Sequence, residues 1–154
     1  MRSRLVTLAA VGDVNFGDGP GDAIARPHRP GTSLASPGAI RSGVRAARRR
    51  ADVVVVSFHW GSGTSANPRE LDLGRVALAA GADAVIGAHP HVLQQIRRRG
   101  HQVIAYSLGN FVFSARSPET ARTGILRLGL PIRGVDSVHL RSAVISDSRP
   151  VLVR

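Results

Sequence analysis

No cysteine occurs anywhere in the chain, which excludes a disulfide framework and any thiolate-ligated metal. Lysine is absent as well. All 21 basic side chains are arginine, against 10 acids, giving a formal charge of +11. Such a surface attracts polyanions. Aromatics are scarce at 4%, which argues against a base-stacking platform. No nucleic-acid recognition motif accompanies the arginine runs Arg48–Arg50 and Arg97–Arg99, so nucleic acid is not the expected partner. Each run reads as a helix end, where cations complement the dipole. Long apolar runs are missing too, since none approaches the ~20 residues of a membrane helix. The N-terminal "MRSRLVTLAAVGD" reads as a first strand rather than a signal peptide. With neither leader nor anchor visible, the expected compartment is the cytoplasm by default.

What is present fits one folded domain over residues 1–154. Hydrophobic residues make up 43%, and the length allows a single core. Four apolar stretches read as buried strands: Leu5–Val11, Val53–Phe58, Ala84–Ile86 and Val103–Tyr106. "VVVV" at Val53–Val56 lacks polar alternation, as in a strand covered on both faces. Ser36 and Pro37 form a helix start, with Ile40, Val44 and Ala47 on one face. Asn67, Pro68 and Glu70 repeat it as a capping box, and that helix runs to Ala80 before Gly81. The alternation predicts an α/β sheet. In the last third, Leu126, Leu128 and Leu130 alternate, as do Val138, Leu140 and Val144, which predicts an antiparallel pair. A short strand at Val151–Val153 follows. Asp18–Ser36, rich in Gly, Pro and Asp, reads as loop.

Polar groups follow each of the first four strands: Asp13 and Asn15, His59, the pair His89 and His91, then Ser107 and Asn110. In parallel sheets the carboxyl ends of strands share one ligand-binding edge. Pro90 is expected to hold His89 extended, so that residues two apart face the same way. Asp13, His59, His89 and His91 then form an oxygen-and-imidazole set suited to a divalent transition ion: manganese, zinc, iron or nickel. Glycines beside these groups, Gly12, Gly61, Gly87 and Gly109, would allow close backbone approach. Trp60 reads as a packing residue. His28, His101 and His139 read as ordinary polar residues.

The segments "VGDVNFG", "ADVVVVSFHWG", "AGADAVIGAHPHVLQ" and "VIAYSLGNFVF" resemble, in order, those of the CapA-type poly-γ-glutamate capsule synthesis proteins. The resemblance implies a calcineurin-like metallophosphoesterase-type sandwich with a mixed sheet and C-terminal antiparallel strands. It also implies a metal site, onto which Asp13, His59, His89 and His91 map, with Asn15 and Asn110 as substrate-binding candidates. The implied role is making or exporting an anionic polyglutamate polymer, with activity as a metal-dependent hydrolase. Family members are often found at the cell envelope. The chain departs from the family in lacking a central part between about residues 18 and 37, where Gly-Asn-Leu-Glu and Asn-Asn-His type blocks belong. Asn15 stands where phosphoesterases carry a second metal-binding histidine. The alternative is a non-catalytic basic domain that binds an anionic polymer, with a degenerate metal site. Edges exposed by the shortening would need cover, and a second copy of the chain is one candidate.

Overall fold

The computed structural model describes residues 6–10, 13–14 and 36–153, the first two stretches as backbone alone. The expected loop at residues 18–35 lies outside the described residues. Helix α1 (Pro37–Arg48) begins where Ser36 Oγ accepts from Ala39 N–H at 3.2 Å. Helix α2 (Pro68–Ala80) carries the full capping box: Glu70 N–H donates to Asn67 Oδ1, and Asn67 N–H donates to Glu70 Oε2. It stops at Gly81, whose φ of 116° only glycine adopts without strain.

These helices cover one face of a four-stranded sheet ordered β3 (Val55–His59), β4 (Ala84–Ala88), β6 (Gln102–Ala105), β5 (Ile96–Arg99). The first three strands run parallel, and β5 is antiparallel to β6. Period-two alternation divides the core between the two faces. Val85, Ile104 and Tyr106 face the helices, among Ile40, Val44, Leu73 and Ala77. Ala84, Val103 and Ala105 face away and meet Leu126, Leu128 and Leu130. Those leucines lie on β8 (Arg122–Leu130) of a second, antiparallel sheet, ordered β1 (Val6–Ala10), β8, β9 (Ser137–Ser146), β10 (Arg149–Leu152). Burying each such leucine stabilises by about 1.5–3 kcal/mol. A short parallel pair, β2 (Asp13–Val14) with β7 (Asn110–Val112), and a one-turn helix α3 (Pro118–Ala121) complete the described elements. The result is a mixed α/β architecture: helices, a mixed sheet, then an antiparallel sheet.

Two sequence expectations are corrected. The first apolar stretch is not a member of the parallel sheet, because β1 runs antiparallel to β8. Its register sets Val6, Leu8 and Ala10 opposite Leu130, Leu128 and Leu126, which matches apolar positions to apolar positions. The Arg97–Arg99 run ends no helix. It forms β5, because Gly100 and His101 make a two-residue reversal into β6, with Arg99 opposite Gln102 and Gly100 at φ 58°. The antiparallel β8–β9 pair is as expected. Strand β10 begins at Arg149, after a two-residue turn in which Asp147 and Ser148 both have positive φ. Among the described residues, no helix is long and apolar enough to cross a membrane.

Candidate functional site

At the carboxyl ends of β3 and β4 the ladder continues one step past the strands, with Trp60 N–H donating to Ala88 O at 3.1 Å. This register sets His59 opposite Ala88, one residue before His89. The His59 and His89 rings lie 4.6 Å apart, centre to centre, and the His89 and His91 rings 5.7 Å apart. His91 also lies 5.0 Å from the Phe113 ring. His59 and His89 are exposed, and His91 is half-buried. Three imidazoles from two strand ends therefore meet on one rim.

The route to this meeting differs from the expected one. His89 has φ 100° and His91 φ 58°, so the segment is not extended across Pro90. Both residues occupy left-handed backbone, which costs side-chain-bearing residues about 1–3 kcal/mol each. Long-range bonds hold the turn. Gln94 N–H donates to Ser107 O at 3.0 Å, and Leu93 bridges to Leu108. His91 Nδ1 lies 2.7 Å from Asn110 Oδ1.

Asn110, expected among the substrate-binding residues, is 1% exposed. Its Nδ2 donates to Thr120 O at 3.2 Å, which fixes the amide so that its oxygen faces His91. His91 Nδ1 is then the donor, and Nε2 is the nitrogen that carries the lone pair of the neutral ring. An outer partner that sets the tautomer is the arrangement found behind ligating histidines. Thr120 sits in a capping pair with Ser117 at the start of α3. The pattern Ser117-Pro118-Glu119-Thr120 carried that signal, which the sequence reading missed.

The β2–β7 pairing sets Asp13 directly opposite Asn110. The Asp13 backbone thus adjoins the residue that orients His91, while its side chain, and Asn15 altogether, lie outside the described residues. Among the described residues, no three His, Cys, Asp or Glu side chains form a group arranged to hold a metal ion.

Trp60 and Gly87 build the floor behind the rim. Trp60 Nε1 donates to Tyr106 O at 2.9 Å, and its ring stacks on Phe58 at 4.5 Å. A Cβ on Gly87 would fall on Tyr106 O and the Trp60 indole; only glycine lets these chains approach so closely. Glu70 is buried against Gly61, and its Oε1 has no hydrogen-bond partner among the described residues.

Residues 22–115, more than half of the chain, match the family described as bacterial capsule synthesis protein PGA_cap. The chain belongs to this family. The match takes in His59, His89, His91 and Asn110. The chain is also similar to the PGA biosynthesis protein CapA of Bacillus subtilis (strain 168), 34% identical over 151 residues, covering 97% of this chain and 39% of the relative. The capsule biosynthesis protein CapA of Bacillus anthracis is 32% identical over 134 residues, covering 83% of this chain and 33% of the relative. The chain thus spans between a third and two fifths of these relatives' length, and the rest of each relative lies outside the matched stretch.

Proposed function

We propose that the chain acts in the biosynthesis or export of an anionic capsule polymer, poly-γ-glutamate, through a single divalent metal site on the rim. Asp13, His59, His89 and His91 are its ligands, and Asn110 is a positioning residue that fixes His91. The observation that carries this reading is the unbroken sequence of neighbours from His59 through His89 and His91 to Asn110, whose backbone adjoins Asp13. Two imidazoles bound to one ion at about 2 Å each stand roughly 5 Å apart, centre to centre. The ring spacings of 4.6 and 5.7 Å lie on either side of that value, and the rings would have to turn to bring their nitrogens to one ion, since among the described residues they do not yet form a ligand group. The donor set suits manganese, zinc, iron or nickel.

A bound divalent ion would supply Lewis-acid polarisation of a phosphoryl or acyl oxygen and a lowered pKa for water. The chain's own groups orient and admit. His59 and His89 open the rim to solvent, and Asn110 locks the third ring. The layered α/β arrangement supports kinship with the metallophosphoesterase sandwich, and the reaction class is metal-dependent hydrolysis. A second reading, a non-catalytic polymer-binding domain, is favoured by the +11 charge.

Elemental analysis of protein loaded with manganese or zinc tests the site. About one ion per chain is expected, and its loss in a His89→Ala/His91→Ala variant that keeps the native circular dichroism. Unchanged stoichiometry in that variant removes the site. Turnover of a generic phosphodiester with added manganese separates the catalytic reading from the binding one.

A further inference from the structure

The arginine run that ended no helix lines a cleft of its own. A cavity of about 670 Å³ opens between α2 and the β5–β6 hairpin, lined by Arg75, Arg97, Arg98, Arg99 and Tyr106 over an apolar floor that includes Leu78. Among the described residues no carboxylate lines it. Strand alternation sorts the run. Ile96 packs toward the second sheet, so Arg98 shares that side while Arg97 and Arg99 turn toward α2. Arg98 is anchored: its guanidinium donates to Gly100 O, Val135 O and Asp136 O at 3.0–3.2 Å. Arg97 is steered by its Nε, which donates to Gln95 Oε1 at 2.9 Å. Arg75 joins them from α2. Arg97 and Arg75 both lie close enough to Tyr106 to oppose the rise that burial gives its phenol pKa.

Among the described residues the one ion pair is Arg48 with Asp83, so no carboxylate there neutralises Arg75, Arg97 or Arg99. Like charges gathered on one cleft repel, and an incoming anion relieves that repulsion. Arg97 and Arg99 form a short row on β5, with Arg75 on α2 lining the same cleft. Side chains two apart on a strand repeat at about 6.6–6.8 Å, which suits successive anionic groups on one chain better than a single small ion. Guanidinium forks match carboxylates and phosphates alike in bidentate fashion, and the choice of carboxylate comes from the polymer reading above. Among the described residues that line the cleft Tyr106 is the one aromatic, and it is buried, so these residues offer bases no platform on which to stack.

We propose that this cleft is a second site, separate from the imidazole rim, that docks a chain of regularly spaced carboxylates. The inference rests on the polymer reading above and deepens it: Arg75, Arg97 and Arg99 hold the polymer on the helix side of the sheet while the rim lies at the carboxyl ends of its strands.

The test measures binding of fluorescently labelled poly-γ-glutamate to the full chain at low and moderate salt, with inorganic polyphosphate of similar length alongside. Wild type is expected to bind polyglutamate more tightly than polyphosphate, with affinity falling as salt rises. Arg97→Glu/Arg99→Glu is expected to weaken polyglutamate at least about tenfold while leaving metal content on the rim unchanged. Arg75→Glu, on a different element, should weaken it in the same direction and serves if the double variant fails to fold. Wild-type affinity in a folded Arg75→Glu or double variant overturns the cleft and leaves the polymer reading standing. No polyglutamate binding by wild type overturns docking and, if metal still binds, leaves the metal site intact. Equal affinity for polyphosphate overturns the carboxylate assignment.

Discussion

The two ends of the parallel sheet carry polar groups of opposite character. At the amino end, Asp83 precedes β4 and is 9% exposed in its side chain. Its carboxylate is surrounded by donors from three other parts of the chain. Val54 N–H donates to Oδ2 at 2.7 Å, Gly134 N–H donates to Oδ1 at 2.9 Å, and the Arg48 guanidinium pairs with Oδ2. Arg48 also donates to Gly81 O and Asp52 O. Every partner belongs to the fold, so this end is a fastener between α1, β3, β4 and the β8–β9 loop. At the carboxyl end, polar groups converge on strained backbone, and two of the three rings face solvent. Buried polar groups with complete partners hold a structure together. His89 is both exposed and held on left-handed backbone, and strain of that kind clusters at functional sites. The contrast explains why the same chain can place a histidine cluster precariously: its other end is tied down.

Asp83→Ala probes this contrast with the largest expected effect. It takes the carboxylate partner from the Arg48 guanidinium and leaves two amide N–H groups without their acceptor, and the loss of folding stability should be about 3 kcal/mol. Denaturant unfolding measures it. Metal stoichiometry on the rim should survive wherever the variant is folded. A loss of metal without a loss of stability would erase the distinction between the two ends.

Regular structure was legible from residue patterns because it obeys local rules. The Asn67–Glu70 capping box and Gly81 marked the limits of α2, and alternating leucines marked β8. Family segments pointed at His59, His89 and His91, and the rings do meet. What the pattern could not carry was long-range. Nothing local in "GAHPH" requires His89 and His91 to adopt positive φ; that conformation is imposed by bonds to Ser107, Leu108 and Asn110. Nothing in Leu5–Val11 said that its partner would be β8 rather than β3. Arg48 looked like a charge at a helix end, and its carboxylate partner stands 35 residues away. The arginines of β5 were misplaced because Gly100-His101 is a weaker hairpin signal than Asn-Gly or Asp-Gly.

Asn110→Ala has a smaller effect and sharpens the comparison from the other end. It removes the acceptor that sets the His91 tautomer. If Asn110 serves the rim, metal affinity should fall about 10- to 100-fold, as for other outer partners of ligating groups. Competition against a chelator of known affinity reads this directly. Thr120 O also loses its donor, so stability falls somewhat in parallel. Unchanged metal affinity with lowered stability would reclassify Asn110 as scaffold, an equivalent of Asp83 rather than a servant of the site.

The smallest effect is confined to alkaline pH, and the chain's composition isolates it. With no lysine, no cysteine and one tyrosine, Tyr106 is the single side chain that titrates near pH 10. Burial raises its phenol above the ordinary value of 10.0, against the opposing pull of Arg97 and Arg75. The folded state therefore keeps its proton longer than the unfolded chain does. Stability is full below pH 10 and is lost as pH rises from there through the folded value, because the unfolded state binds fewer protons over that window. Tyr106→Phe, which keeps the ring beside Trp60, should flatten the fall. Tyrosinate absorbance should show the wild-type midpoint above 10, and Arg97→Ala should move it further up by removing the larger of the two opposing influences. A midpoint that ignores Arg97 would place that guanidinium away from the phenol, and so out of the cleft that the two are held to share.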